Sequence, residues 1–109
     1  MVDGLWTVEF SSALNLFGSG VLVLCKKRLL GGDAGYYYSG QYDVKNNTIR
    51  GKVDVVRFDQ NSVSVVGDLD QFCLIFTGQL SDDEFTGVAE VKDKPGLTIN
   101  IRCRRKENL

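Results

Sequence analysis

The side chains that could carry covalent or acid-base chemistry in this chain are few and scattered. Cys25, Cys73 and Cys103 form no Cys-x-x-Cys pair, so neither a redox dithiol nor a zinc knuckle is spelled out. Each lies in an apolar, strand-like run, which predicts reduced side chains filling a core. Burial raises a thiol's pKa, and the chain has no histidine to lower it. The same absence removes Ser-His-Asp and Cys-His pairs, histidine-ligated zinc and any imidazole acid-base group. Catalysis inside the fold would fall to Glu9 and Asp54, two carboxylates at strand-interior positions. The expectation is a non-enzyme: no catalytic residues, no metal and no cofactor.

Tyrosine is the other chemistry-bearing residue, and it is clustered in "LLGGDAGYYYSGQYDV", Leu29 to Val44. In a strand, successive side chains point to opposite faces. Tyr36, Tyr38 and Tyr42 therefore share one face, and Tyr37 shares the other with Ser39, Gln41 and Asp43. The first set is expected inside, with hydroxyls that each need a buried partner. Stacking of single-stranded nucleic acid on these rings is the alternative, but Lys26, Lys27 and Arg28 precede the Gly-Gly turn and no base interrupts the tyrosine strand. Packing is the better reading.

The elements that position these residues follow from period-two alternation of apolar and polar side chains. It marks Leu5–Phe10, Gly20–Cys25, Arg28–Gly31, Tyr36–Tyr42, Thr48–Phe58, Phe72–Leu80, Glu84–Val91 and Leu97–Arg104. No stretch holds helical spacing over three turns. Turn residues separate the runs: Gly31-Gly32-Asp33, Asn46-Asn47, Ser81-Asp82-Asp83 and Lys94-Pro95-Gly96. In the first, glycine is expected to supply positive φ and Asp33 to accept backbone N–H bonds. Asp59 to Asp70 is longer and reads as a short helical turn or an irregular flap. Glycines inside four strands, Gly40, Gly51, Gly78 and Gly87, point to a sheet coiled enough to close on itself. The predicted fold is all-β: an antiparallel up-and-down β-barrel of about eight strands, with a two-sheet sandwich as the alternative. Val53, Val55, Ile99 and Ile101 are expected inward, and Arg50, Lys52, Asn100 and Arg102 outward. Tyr36, Tyr38, Tyr42, Val53, Val55, Phe76, Ile99 and Ile101 would line the interior, which is either filled or holds one small apolar ligand.

At 109 residues the chain reads as one domain spanning 1–109. A net charge of −1 provides no overall field toward nucleic acid or anionic membranes. Apolar runs such as Val21–Cys25 fall far short of a bilayer span, and the first residues lack the pattern of a signal peptide. A cytoplasmic protein with no direct nucleic-acid or membrane contact is expected. Outward placement of Leu22, Leu24 and Val88 would leave an apolar patch, which predicts a two-fold homodimer. Two charged segments remain, the acidic turn Asp82-Asp83-Glu84 and the basic run Arg102 to Lys106. Both read first as solvated ends, and second as contacts for a partner or for phosphate.

Taken in order, "DGLWTVEF", "GSGVLVL", "LLGGDAGYYYSGQYDV" and "VDVVRF" resemble the GrlR-like family of bacterial regulators. The likeness is carried by Gly4 and Trp6, Gly18 and Gly20, Gly31-Gly32-Asp33, Tyr38 and Gly40, and Val66-Gly67. It implies a lipocalin-like barrel with an apolar cavity, usually dimeric. In the namesake it implies an anti-activator that binds a transcriptional activator of type III secretion genes. The partner contact of the namesake is an acidic run after the Tyr-x-Gly strand. Its counterpart here is Asp43-Val44-Lys45-Asn46-Asn47, so Asp43, Lys45, Asn46 and Asn47, together with Asp82, Asp83 and Glu84, are the partner-binding candidates.

Overall fold

The structure, a computed structural model, describes residues 2–13 and 15–109. Among them are eight strands: β1 (Gly4–Ser12), β2 (Phe17–Cys25), β3 (Arg28–Gly32), β4 (Tyr36–Lys45), β5 (Thr48–Arg57), β6 (Gln71–Ser81), β7 (Glu84–Val91) and β8 (Thr98–Asn108). Every neighbouring pair is antiparallel, and β1 pairs with β8 to close the barrel. The eight predicted runs all fall inside these strands apart from end residues such as Phe58 and Leu97, and the sandwich is excluded by the closure. Among the described residues no helix is long and apolar enough to cross a membrane.

The two ends of the barrel are built differently, and the turn chemistry decides which is which. At one end β2–β3, β4–β5 and β6–β7 are joined by two residues each. Lys26 and Lys27 have φ of 49° and 70°, and Asn46 and Asn47 have 53° and 64°, the mirror-image turn that matches strand twist. Asn tolerates this conformation readily, whereas each lysine there is strained by about 1–2 kcal/mol. The opposite end carries the longer links 33–35, 58–70 and 92–97. There the Pro95-Gly96 turn forms as expected, with Gly96 at φ 98° and the Leu97 N–H donating to the Lys94 carbonyl at 3.1 Å.

Alternation places Val53, Val55 and Ile99 in the core, with Ile101 half-buried beside them, and leaves Arg50, Lys52, Asn100 and Arg102 exposed. The outer face thus bears charges at mid-strand, where a membrane-spanning barrel carries an apolar band.

Three expectations are corrected. Leu22 and Leu24 point inward and are buried, and Val21 takes the outer position. Register is the cause: Trp6 lies opposite Leu22, and cross-strand partners share a face. Parity likewise moves two thiols, so that only Cys103 is buried, while Cys25 and Cys73 are half-buried beside the inward Leu24 and Leu74. Gly31 and Gly32 belong to β3, and neither has positive φ. Their role is close approach, since a Cβ on Gly31 would collide with the Val21 carbonyl oxygen of β2. The turn itself is Asp33-Ala34-Gly35.

Candidate functional site

The inward side chains fill the tightly turned half of the barrel and leave the other half open. Trp6, Leu24, Ile49 and Phe85 are fully buried in the closed half. The Trp6 and Phe85 rings stand 5.2 Å apart, and Phe76 stacks on Phe85 at 6.4 Å. Arg105 covers the outer side of Trp6, its guanidinium 5.7 Å from the ring centre. This aromatic floor lies beneath a cavity of 320 Å3.

The walls of the cavity come from all eight strands. Val8 and Phe10, Leu22, Leu29, Tyr36 and Tyr38, Val53 and Val55, Phe72 and Phe76, Ala89, and Ile99, Ile101 and Cys103 face it in chain order. Seven of the eight residues expected to line the interior do so. Tyr42 is the exception: it is buried, but in the closed half, where its hydroxyl donates to Asp3 Oδ1 at 3.1 Å. Burial first, then the Asp3 hydrogen bond, pushes its phenol up to about 12. Burial raises the Cys103 thiol to about 12 as well, which holds it as an unreactive wall residue.

The segment 58–70 forms the roof. It is irregular, with a single bridge between Ser64 and Gly67. Val66 is buried, and Ser62, Val63, Ser64 and Val65 border the cavity. Arg57 anchors both limbs of the roof: Nη1 donates to the Ser62 carbonyl at 2.8 Å and to Asp68 Oδ1 at 2.6 Å, and Nε donates to Asp70 Oδ1 at 3.0 Å. The Tyr36 hydroxyl adds a bond to the Leu69 carbonyl at 3.0 Å. Exposed Phe17 and Val63 give the mouth an apolar rim.

Among the described residues one charged side chain enters this wall. Asp33 Oδ1 accepts the backbone N–H groups of Gly35 and Tyr36, each at 2.9 Å, as expected for its turn. Oδ2 accepts the Tyr38 hydroxyl. Burial, followed by the bond to Asp33 and its charge, raises the Tyr38 pKa, so the phenol stays neutral and donates. Gly20 makes room for the pair, because a Cβ there would sit 3.0 Å from the Tyr38 hydroxyl.

The remaining candidates lie elsewhere. Glu9 and Asp54 are exposed on the outer face. Asp43, Lys45, Asn46, Asn47, Asp82, Asp83 and Glu84 gather at the closed end, where the β4–β5 and β6–β7 turns meet through the Leu80 N–H and the Asn47 carbonyl at 2.7 Å. Their acids are largely paired within the chain. Lys27 reaches Asp43 at 3.5 Å, Arg105 binds Asp83, and Arg102 and Arg104 lie 2.8 and 3.8 Å from Glu84. The acidic turn and the basic run thus neutralise each other. Sequence reasoning overlooked Leu22, Ala89 and Asp33 as wall residues. The signal for Asp33 was present in the Tyr38 hydroxyl, which required an inward partner.

No protein-family model matches the chain, and no curated protein matches it either.

Proposed function

We propose that the protein binds one small apolar ligand inside the barrel and has no catalytic role. The observation that carries this reading is the 320 Å3 cavity, walled by aliphatic and aromatic side chains and open through an apolar rim. Its size falls at the lower edge of the usual range for ligand sites, about 300–1,000 Å3. Ala89 presents only a methyl group to the cavity from β7, so an enlarged residue there would project into the space. Ala89→Leu is expected to weaken binding of an apolar probe such as decanol by about tenfold or more while stability changes by no more than about 1–3 kcal/mol, typical of an added core side chain. Calorimetric titration and urea denaturation of the two proteins check this; unchanged decanol affinity in a folded variant counts against it.

A second reading is favoured by the outer face. Val21 and Leu30 are exposed there with Tyr37, and half-buried Val23 and Val56 extend them into one apolar strip across β2 to β5. Val21 and Tyr37 are brought side by side because Gly32 between them has no side chain. Such a strip suits a homodimer or a protein partner. Together with the GrlR-like resemblance it supports a regulator of the anti-activator type acting on a transcriptional activator of type III secretion genes in the cytoplasm. Sedimentation equilibrium at micromolar concentration should give a dimer mass, and a monomer mass overturns the homodimer. The two readings are compatible, with the ligand inside and the partner outside.

A further inference from the structure

We infer that the ligand is an apolar amine, held through its protonated nitrogen by the Asp33–Tyr38 pair. The inference rests on the cavity being a ligand site and assigns the chemistry of the ligand's polar end.

A carboxylate offers about four acceptor positions. On Asp33 three are taken: two on Oδ1 by the Gly35 and Tyr36 N–H groups and one on Oδ2 by the Tyr38 hydroxyl. The fourth position, on Oδ2, has no partner among the described residues. The Tyr38 oxygen donates its only proton to Asp33, so both atoms present acceptors alone toward the cavity. A polar group arriving there must donate. A carboxylate has no proton to give at neutral pH and meets a like charge at close range.

The surroundings reinforce this sign. Among the described residues lining the cavity there is no lysine or arginine. Arg57, the base nearest the roof, is committed to Asp68 and Asp70, and Asp59 adds a further acid, engaged by Asn61 and Ser62. Lys92 and Lys94 stand on the 92–97 link beside Asp93 and do not border the cavity. A fatty acid would therefore find no cationic anchor in the wall, and at the Asp33–Tyr38 pair it would find no proton donor. Beyond Asp33, the hydroxyls of Ser19, Ser62 and Ser64 and the Cys103 thiol, the wall is aliphatic and aromatic, so most of the ligand must be hydrocarbon. At about 30 Å3 per heavy atom, the share of a water molecule, the volume corresponds to about ten heavy atoms.

Octylamine, octanol and octanoate match this volume and differ only at the polar end. Calorimetric titration of the full chain with each at pH 7 is expected to rank them amine first, alcohol second and acid last, with the amine at least about tenfold tighter than the acid. In Asp33→Asn the carboxylate is lost, and the preference for amine over acid should shrink to about threefold or less while octanol affinity is kept. Tyr38→Phe retains the carboxylate and should retain the preference, which gives a second reading if Asp33→Asn folds poorly by circular dichroism. Octanoate binding as tightly as octylamine to the wild type, or an undiminished preference in folded Asp33→Asn, overturns the amine assignment and leaves the cavity reading standing. Failure of all three compounds to bind overturns both.

Discussion

Tyr38→Ala is expected to lower the unfolding free energy by about 3–5 kcal/mol, the range for large aromatic truncations in cores. Tyr37→Ala, one residue away, should cost about 0.5 kcal/mol or less. The contrast follows from the pleat. Tyr38 is 8% exposed and Tyr37 48% exposed, because β4 turns alternate side chains to the core and to the outer face. Truncation at 38 removes the ring from the cavity wall and also strips Asp33 of a donor to Oδ2. Tyr38→Phe isolates the second effect and should cost about 1.5–3 kcal/mol, typical of a hydrogen bond to a charged group. Urea denaturation followed by far-ultraviolet circular dichroism measures all three. Equal losses at 37 and 38 are incompatible with the alternation.

A loss of similar size, about 3–5 kcal/mol, is expected for Trp6→Ala at the other end of the barrel. Trp6 has no solvent exposure. It packs on Phe85 and donates its indole N–H to the Val2 carbonyl at 2.9 Å. Removing it would extend the open volume downward through the floor, where the short two-residue turns leave the strands little freedom to collapse. Arg105→Met is the control, since it removes the cation over the ring but keeps a hydrocarbon cover. That change also releases Asp83 and should cost about 1–2 kcal/mol, the scale of a partly solvated cation–π contact together with a surface ion pair. Comparable losses for the two variants would mean that the guanidinium, not the indole, holds the floor together.

The legible and illegible parts of this fold divide by whether the controlling interaction is local. On β5, Arg50, Lys52 and Asp54 alternate with apolar neighbours, so the inward face could be read strand by strand, and the same holds for β8 through Arg102. On β2 both parities are apolar from Val21 to Leu24. Its orientation is decided by the pairing of Leu22 with Trp6, a relation between strands that no inspection of β2 alone supplies. Asp33 shows the same division within one side chain. Its bonds to the N–H groups of residues 35 and 36 are local, of the kind expected of an aspartate at a turn, whereas the bond to Tyr38 depends on the space left by Gly20. Whether the interior is filled or open depends on the summed volume of side chains from all eight strands, and pattern alone does not give that sum.

Closure of the barrel by β1 and β8 also sets the order in which the molecule can be completed. Each of the other neighbouring pairs joins strands consecutive in the chain, but Gly4 pairs with Asn108 and Phe10 with Ile101. During synthesis β1 emerges before the other seven strands of the barrel and keeps one edge bare until β8, the last of the eight, can dock against it. Neighbouring strands can zip together as successive hairpins; the final seam is a search between the two strands furthest apart in the barrel's sequence, the kind of step that slows folding. In the interval the backbone donors and acceptors on the β8 side of β1 are free to capture a strand of another nascent chain. Glu9 lies opposite Arg102 in the finished seam, and although that guanidinium is bonded to Glu84, the two edges carry charges of opposite sign that disfavour pairing of either edge with its own copy.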